Sequence, residues 1–161
     1  LSFIIRKMEK RDIQHVQQVA KTSWNHTYEG IIPLDIQEGF LKYAYNDEMM
    51  QRRLEGSHLF VSEVDKGIVG FANFSTVNED GEVELSAIYL YPEYQGKGIG
   101  TSLLQEAIKN LEGPKKVFVN VEKENKIGIA FYKSKGFKVV TEFDDNFDGH
   151  ILKTVRMVLE V

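Results

Sequence analysis

One stretch limits what this chain can become: Glu82 to Leu111 reads as a strand running through a glycine-rich turn into a helix. Val83, Leu85, Ala87 and Tyr89 alternate with Glu84, Ser86, Ile88 and Leu90, the period-two pattern of a sheet strand. Gln95-Gly96-Lys97-Gly98-Ile99-Gly100-Thr101 follows, and then a helical stripe of Leu103, Leu104, Ala107, Ile108 and Leu111. Alternate glycines opening a helix let the backbone approach a ligand closely, with several N–H groups free. The positive end of such a helix, worth roughly half an elementary charge, suits phosphate.

The rest of the chain organises around that unit. Ser2 to Met8 reads as a first strand, and from Asp12 a helical stripe of Ile13, Val16, Val19, Ala20 and Trp24 follows. Asn25 to Gly30 is expected to break that helix, and Pro33 to open another lined by Ile36, Phe40, Leu41 and Ala44. Asp47 is placed to cap a short further helix through Met50 and Leu54. His58–Val64 and Ile68–Phe74 form a hairpin about Asp65-Lys66-Gly67. After the central helix come a strand at Val117–Val121, a helix over Lys126–Lys135 and a strand over Phe137–Phe143. Asp144–Gly149 reads as an acidic loop before a last strand, Ile151–Leu159. The order β-α-α-β-β-β-α-β-α-β-β predicts one mixed α/β domain over residues 1–161, a mostly antiparallel sheet flanked by helices.

Composition excludes several function classes. With 161 residues the chain can bury one substantial core. A net charge of −4 argues against a general nucleic-acid binder, which shows a basic face. Without cysteine there is no disulfide framework, no thiolate nucleophile and no Cys-based zinc site. His26 and His150 stand alone in the sequence, so no metal is expected. No apolar run is long enough to span a membrane, and the amino end charges too quickly for a signal peptide, which makes the cytoplasm the default.

Three phosphate-binding patterns compete for the glycines. A nucleoside-triphosphate loop needs Ser or Thr after Gly-Lys, but Gly98 follows Lys97. The dinucleotide fingerprint fails at its last glycine, where Thr101 stands, although Glu122 beyond the next strand could be read as its ribose ligand. The third pattern fits. Gln95-x-x-Gly98-x-Gly100 at a strand–turn–helix junction resembles the pyrophosphate-binding motif of the GNAT superfamily of acyl-CoA-dependent N-acyltransferases. Asn125 to Phe137, with Phe131-Tyr132 inside and Gly136-Phe137 at the end, is similar to that superfamily's downstream motif. Gly128 departs from it, where Ala is common, and should loosen the helix slightly. Ser23 to Pro33 resembles the corresponding segment of a branch that includes polyamine acetyltransferases.

The resemblance implies direct transfer of acetyl from acetyl-CoA to an amine in a ternary complex. It implies that the backbone of Ile88, Tyr89 and Leu90 is splayed from its neighbour to hold the acetyl group and pantetheine arm. Gln95, Gly96, Lys97, Gly98, Ile99, Gly100 and Thr101 then wrap the pyrophosphate, and Asn125 contacts the cofactor unless it serves only as a helix cap. Tyr132 holds the position of the general acid that reprotonates the thiolate, against a purely packing role beside Phe131. Glu84, sharing a strand face with Ser86 and Ile88, is the candidate base, with Glu82 or water as alternatives. On the substrate side stand Trp24, Tyr28 and Glu29, with Phe40 as a further wall and His26 as a lesser acid–base candidate. Asp35, Asp144, Asp145 and Asp148 could recruit a cationic amine, or simply be solvated.

The expected function is therefore acetylation of a small primary amine, polyamine-like substrates leading. The alternatives are acetylation of a protein N-terminus or lysine, and a non-catalytic module that senses acyl-CoA. A homodimer is compatible with the resemblance, and neither nucleic acid nor membrane is an expected partner.

Overall fold

A computed structural model describes residues 1–161. The chain forms β1 (Ile4–Lys7), α1 (Ile13–Tyr28), α2 (Leu34–Ala44), α3 (Asp47–Gly56), β2 (His58–Val64), β3 (Gly67–Phe74) and β4 (Glu82–Leu90). There follow α4 (Ile99–Asn110), β5 (Lys116–Glu122), α5 (Lys126–Ser134), β6 (Lys138–Phe147) and β7 (His150–Glu160). One seven-stranded sheet runs β1-β2-β3-β4-β5-β7-β6. Every neighbouring pair is antiparallel except β4 with β5. This is the mixed α/β fold that the pattern predicts.

Local chemistry explains most of the element ends. Asp65 and Lys66 both adopt positive φ, 50° and 67°, the two-residue turn whose twist suits the β2–β3 hairpin. α3 is a third helix between β1 and β2, and its cap is Asn46 rather than Asp47: Asn46 Oδ1 accepts the Met49 N–H at 2.9 Å. α1 does not break at Asn25 but continues to Tyr28, because its buried stripe of Val16, Val19, Ala20, Ser23 and Trp24 extends one more turn to Tyr28. The acidic stretch from Asp144 is strand rather than loop. β6 pairs with β7 as far as Phe147↔His150, so tertiary pairing overrides the poor strand preference of its aspartates.

Two cores lie on opposite sides of the sheet. The larger joins α4 and α5 to Val83, Leu85, Val117, Val119 and Val121. The other joins α1 to Leu59, Val61, Phe71 and Ala87. β4 therefore changes sides along its length. Its register against β3 pairs Phe74 with Leu85 and Asn73 with Ala87, leaving Ser86 as an extra residue in a β-bulge. Before the bulge Val83 and Leu85 face α4; after it Ile88 and Leu90 pack on that side while Ala87 turns to α1. The even alternation expected for this strand does not hold, and Glu84 shares its side with Ala87 and Tyr89, not with Ile88.

β4 and β5 also part company. Only Glu82–Leu85 pair with Lys116–Val119. Beyond them β4 keeps its pairing with β3 and β5 with β7, which leaves a gap between the two strands.

Candidate active site

The gap opens into a cavity of about 450 Å³. On its β4 wall, the Tyr91 N–H donates to the Val69 carbonyl at 2.9 Å, so Tyr91 turns its polar groups toward β3. Backbone direction alternates along an antiparallel ladder, which points those of Ile88 and Leu90 into the gap. The Leu90 carbonyl accepts the Ser23 hydroxyl from α1 at 2.7 Å. Ser23, which the sequence alone did not mark as a site residue, thus ties the helix to the cavity wall.

At one end of the cavity the glycines do what their spacing promises. Gly96 and Gly98 have φ of 75° and 85°, and Gly98 is the residue before α4 begins. Left-handed backbone at both positions requires glycine, although the space around each is open. The turn leaves six successive backbone N–H groups, Gly96 to Thr101, without a protein acceptor; the next, Ser102, donates to the Gly98 carbonyl. With the positive end of α4 behind them, these donors are of the kind that can hold an anion. Gln95, Gly96, Gly98, Gly100 and Thr101 line the cavity. Lys97 and Ile99 do not: the Lys97 side chain is exposed, and Ile99 is fully buried in the larger core and offers only its N–H.

α5 forms another wall. Asn125 caps it, with Oδ1 accepting the Gly128 N–H at 3.0 Å, and also lines the cavity. The missing side chain of Gly128 leaves room for this amide: a Cβ there would lie 2.7 Å from Asn125 Nδ2. The glycine therefore seats the cap as well as loosening the helix. Glu122 supports the same turn, since its carboxylate accepts the Glu124 N–H at 2.8 Å and its carbonyl the Asn125 N–H at 3.0 Å. Burial raises the pKa of that carboxyl.

Three phenols meet at the cavity, those of Tyr28, Tyr89 and Tyr132. Burial raises the pKa of each, and mutual proximity raises those of Tyr28 and Tyr132 further. All three stay protonated well past neutrality. Tyr132 is 8% exposed, with its ring edge-on to Phe131 and Phe137. Trp24 does not line the cavity but sits behind it, stacked on Phe40, with Nε1 donating to the Tyr89 hydroxyl at 2.9 Å. His26 stands at the mouth.

Three of the acidic residues lie elsewhere. Glu84 does not line the cavity; both its oxygens accept from the Arg156 guanidinium of β7. Glu29 lies in a neighbouring pocket. Asp144 is drawn to Lys153 across the β6–β7 hairpin, at 3.7 Å. No group of three or more metal-ligating side chains is present, and no helix is long and apolar enough to cross a membrane.

The sequence pattern that defines the acetyltransferase (GNAT) family matches residues 13–137. A spermidine N(1)-acetyltransferase of Thermoplasma acidophilum is 32% identical over 147 residues, 86% of this chain and 90% of that protein. An uncharacterized N-acetyltransferase of Bacillus subtilis is 35% identical over 161 residues, 95% of this chain and 90% of its own length. Among solved structures, the PaiA N-acetyltransferase from Thermoplasma acidophilum in complex with coenzyme A has a TM-score of 0.86 at 28% identity, each chain covered completely.

Proposed function

The chain belongs to the acetyltransferase (GNAT) family and is an acetyl-CoA-dependent N-acetyltransferase; from that premise we propose that its acceptor is a primary amine of a polyamine. The carrying observation for the chemistry is the joining of six free N–H donors, the unpaired edge of β4 and a protonated tyrosine in one cavity. This donor set fits a pyrophosphate next to an extended amide-bearing arm. Gly96 to Thr101 would hold the former through their N–H groups and Ile88 with Leu90 the latter, with Asn125 beside them. Bound acetyl-CoA supplies the thioester.

Each remaining role falls to this chain's own groups. The amine must arrive uncharged to attack the carbonyl carbon, and Glu84 is committed to Arg156, so water at the open mouth beside His26 receives its proton. Tyr132 gives its phenolic proton to the sulfur as the C–S bond breaks, and the new C–N bond completes the amide. The raised pKa of the phenol keeps that proton in place until it is needed. Tyr89, steadied by Trp24, and Tyr28 exclude water on the side the amine enters.

The 32% identity to a spermidine acetyltransferase supports the polyamine reading. A screen of acetyl-CoA consumption over polyamines, amino acids, aminoglycosides and short peptides tests it. Spermidine and its relatives should give the highest kcat/KM; a preference for peptides would replace this reading with protein acetylation.

A further inference from the structure

Beside the C-terminal end of α1 lies a second pocket, of about 630 Å³. Its polar side chains are Asn25, His26, Glu29, Gln37 and His150, and the backbone of Gly30 to Leu34 completes it. His26 lines both this pocket and the cavity between β4 and β5, so the two spaces meet at one side chain.

Two residues of this pocket carry an amide oxygen that lacks what a buried acceptor needs. Asn25 Oδ1 and Gln37 Oε1 are both buried and accept no hydrogen bond. Gln37 is 2% exposed, and its orientation is fixed by its other end: Nε2 donates to the Ile32 carbonyl at 2.9 Å and the Tyr28 carbonyl at 3.3 Å. Turning the amide over would set oxygen against two carbonyl oxygens. Native proteins rarely leave such groups unpaired, and each one asks for a donor from outside.

The charge around the pocket points the same way. Glu29 supplies a carboxylate, and the carbonyl end of α1, a helix of 16 residues, carries the negative pole of its dipole. His26 and His150 add imidazole nitrogens to the lining. No lysine or arginine lines the pocket. An acceptor-rich, negatively biased space suits a group that carries several N–H donors and a positive charge, and an alkylammonium has both.

We propose that this pocket is the subsite for the second ammonium group of a di- or polyamine whose first amine reaches the thioester in the adjoining cavity. This assignment rests on the polyamine reading above and adds where its selectivity resides. Glu29 provides the charge, while Gln37 and Asn25 direct the N–H groups. The joint at His26 sets the passage between the two amines.

The test compares spermidine with propylamine, which keeps one amine and lacks the second charge. Affinities by titration calorimetry and kcat/KM are measured for the wild type, Glu29→Gln, Asn25→Ala and Gln37→Met, with thermal melts to confirm folding. Wild type should prefer spermidine by at least about tenfold, and Glu29→Gln should erase most of that ratio, as loss of a charge-assisted contact does. Asn25→Ala and Gln37→Met should each lower the ratio by about threefold to tenfold. Equal weakening toward both amines, or a wild type indifferent to the second charge, overturns the subsite. Selective binding of spermidine without its acetylation leaves the subsite standing and removes the polyamine acetyltransferase reading. Acetylation of both amines with ratios unmoved by the variants does the reverse.

Discussion

The guanidinium of Arg156 grips both carboxylate oxygens of Glu84, Nη1 reaching Oε2 at 3.2 Å and Nη2 bonding Oε1. Nη1 also donates to Asn120 Oδ1 at 2.9 Å, and the guanidinium lies over the Phe118 ring, 4.5 Å from its centre. Both oxygens face Arg156 and the carboxylate does not line the cavity, so it is not placed to take a proton from an amine bound there. The Glu84→Gln variant should accordingly keep kcat/KM within about threefold of wild type with an unmoved pH profile. The side chain is 45% exposed, so stability should fall by no more than about 1 kcal/mol. A selective rate loss at acidic pH would return Glu84 to the role of base.

Tyr132→Phe removes the proposed proton donor and keeps the ring. Turnover should drop by roughly 10²-fold or more, as for other lost general acids, while acetyl-CoA affinity stays within a few-fold. Wild-type pH dependence follows from the sign of the phenol's shift. Burial raises its pKa, so the acid form persists above the ordinary tyrosine value of about 10. The rate should rise with pH as the amine deprotonates and show no alkaline fall before about pH 10. Steady-state rates between pH 6 and pH 10 check both, and a descending limb near neutrality would exclude Tyr132 as donor.

Gly128→Ala sets two effects of similar size against each other. Alanine favours the helix by about 1 kcal/mol. Its Cβ would press on Asn125, 2.7 Å from Nδ2 and 3.0 Å from Cγ, and displace a cap worth about 1 kcal/mol. Melting temperature should barely change, whereas acetyl-CoA affinity should fall several-fold because Asn125 no longer faces the cavity. Calorimetry alongside thermal melts separates the two; unchanged affinity would make Asn125 a cap alone.

Asp12 supports the entrance to α1. Two Arg6 nitrogens donate to its carboxylate at 2.8 and 2.9 Å, and the Glu9 N–H adds a third bond at 2.8 Å. The Arg6 hydrogen bonds, opposed by burial, hold the carboxyl below its usual pKa. Its contribution to stability is thus complete above the unfolded value of about 4 and is lost as pH falls through the lower folded value. Asp12→Asn should cost on the order of 3 kcal/mol at pH 7, since it leaves a part-buried arginine less well paired. The gap between variant and wild type should narrow below about pH 4 in urea melts.

What could be read from the sequence was whatever is encoded within a few residues. The glycines from Gly96 to Gly100, the α4 stripe and the Asp65-Lys66 hairpin are local signals, and each emerged where expected. The bulge at Ser86 was invisible, since a serine beside an alanine offends neither side of a sheet and only the register of Asn73 and Phe74 selects it. The Glu84–Arg156 pair spans 72 residues and exists because β7 inserts beside β5. The unpaired amide oxygens of Asn25 on α1 and Gln37 on α2 are likewise a product of tertiary packing, which no pattern along the chain reports.

Four residue pairs, Glu82–Leu85 against Lys116–Val119, are all that stitch β4 to β5. In mechanical terms the molecule is two half-sheets, β1–β4 and β5–β7, sharing a short seam. The core under α4 and α5 draws on both halves, so side-chain packing on that face holds together what the backbone of the seam does not. The ligand arm proposed to lie between Ile88 and Val121 would stand in for the missing rungs of the ladder and become a structural member of the sheet. Filling the site would then also brace the sheet at its short seam.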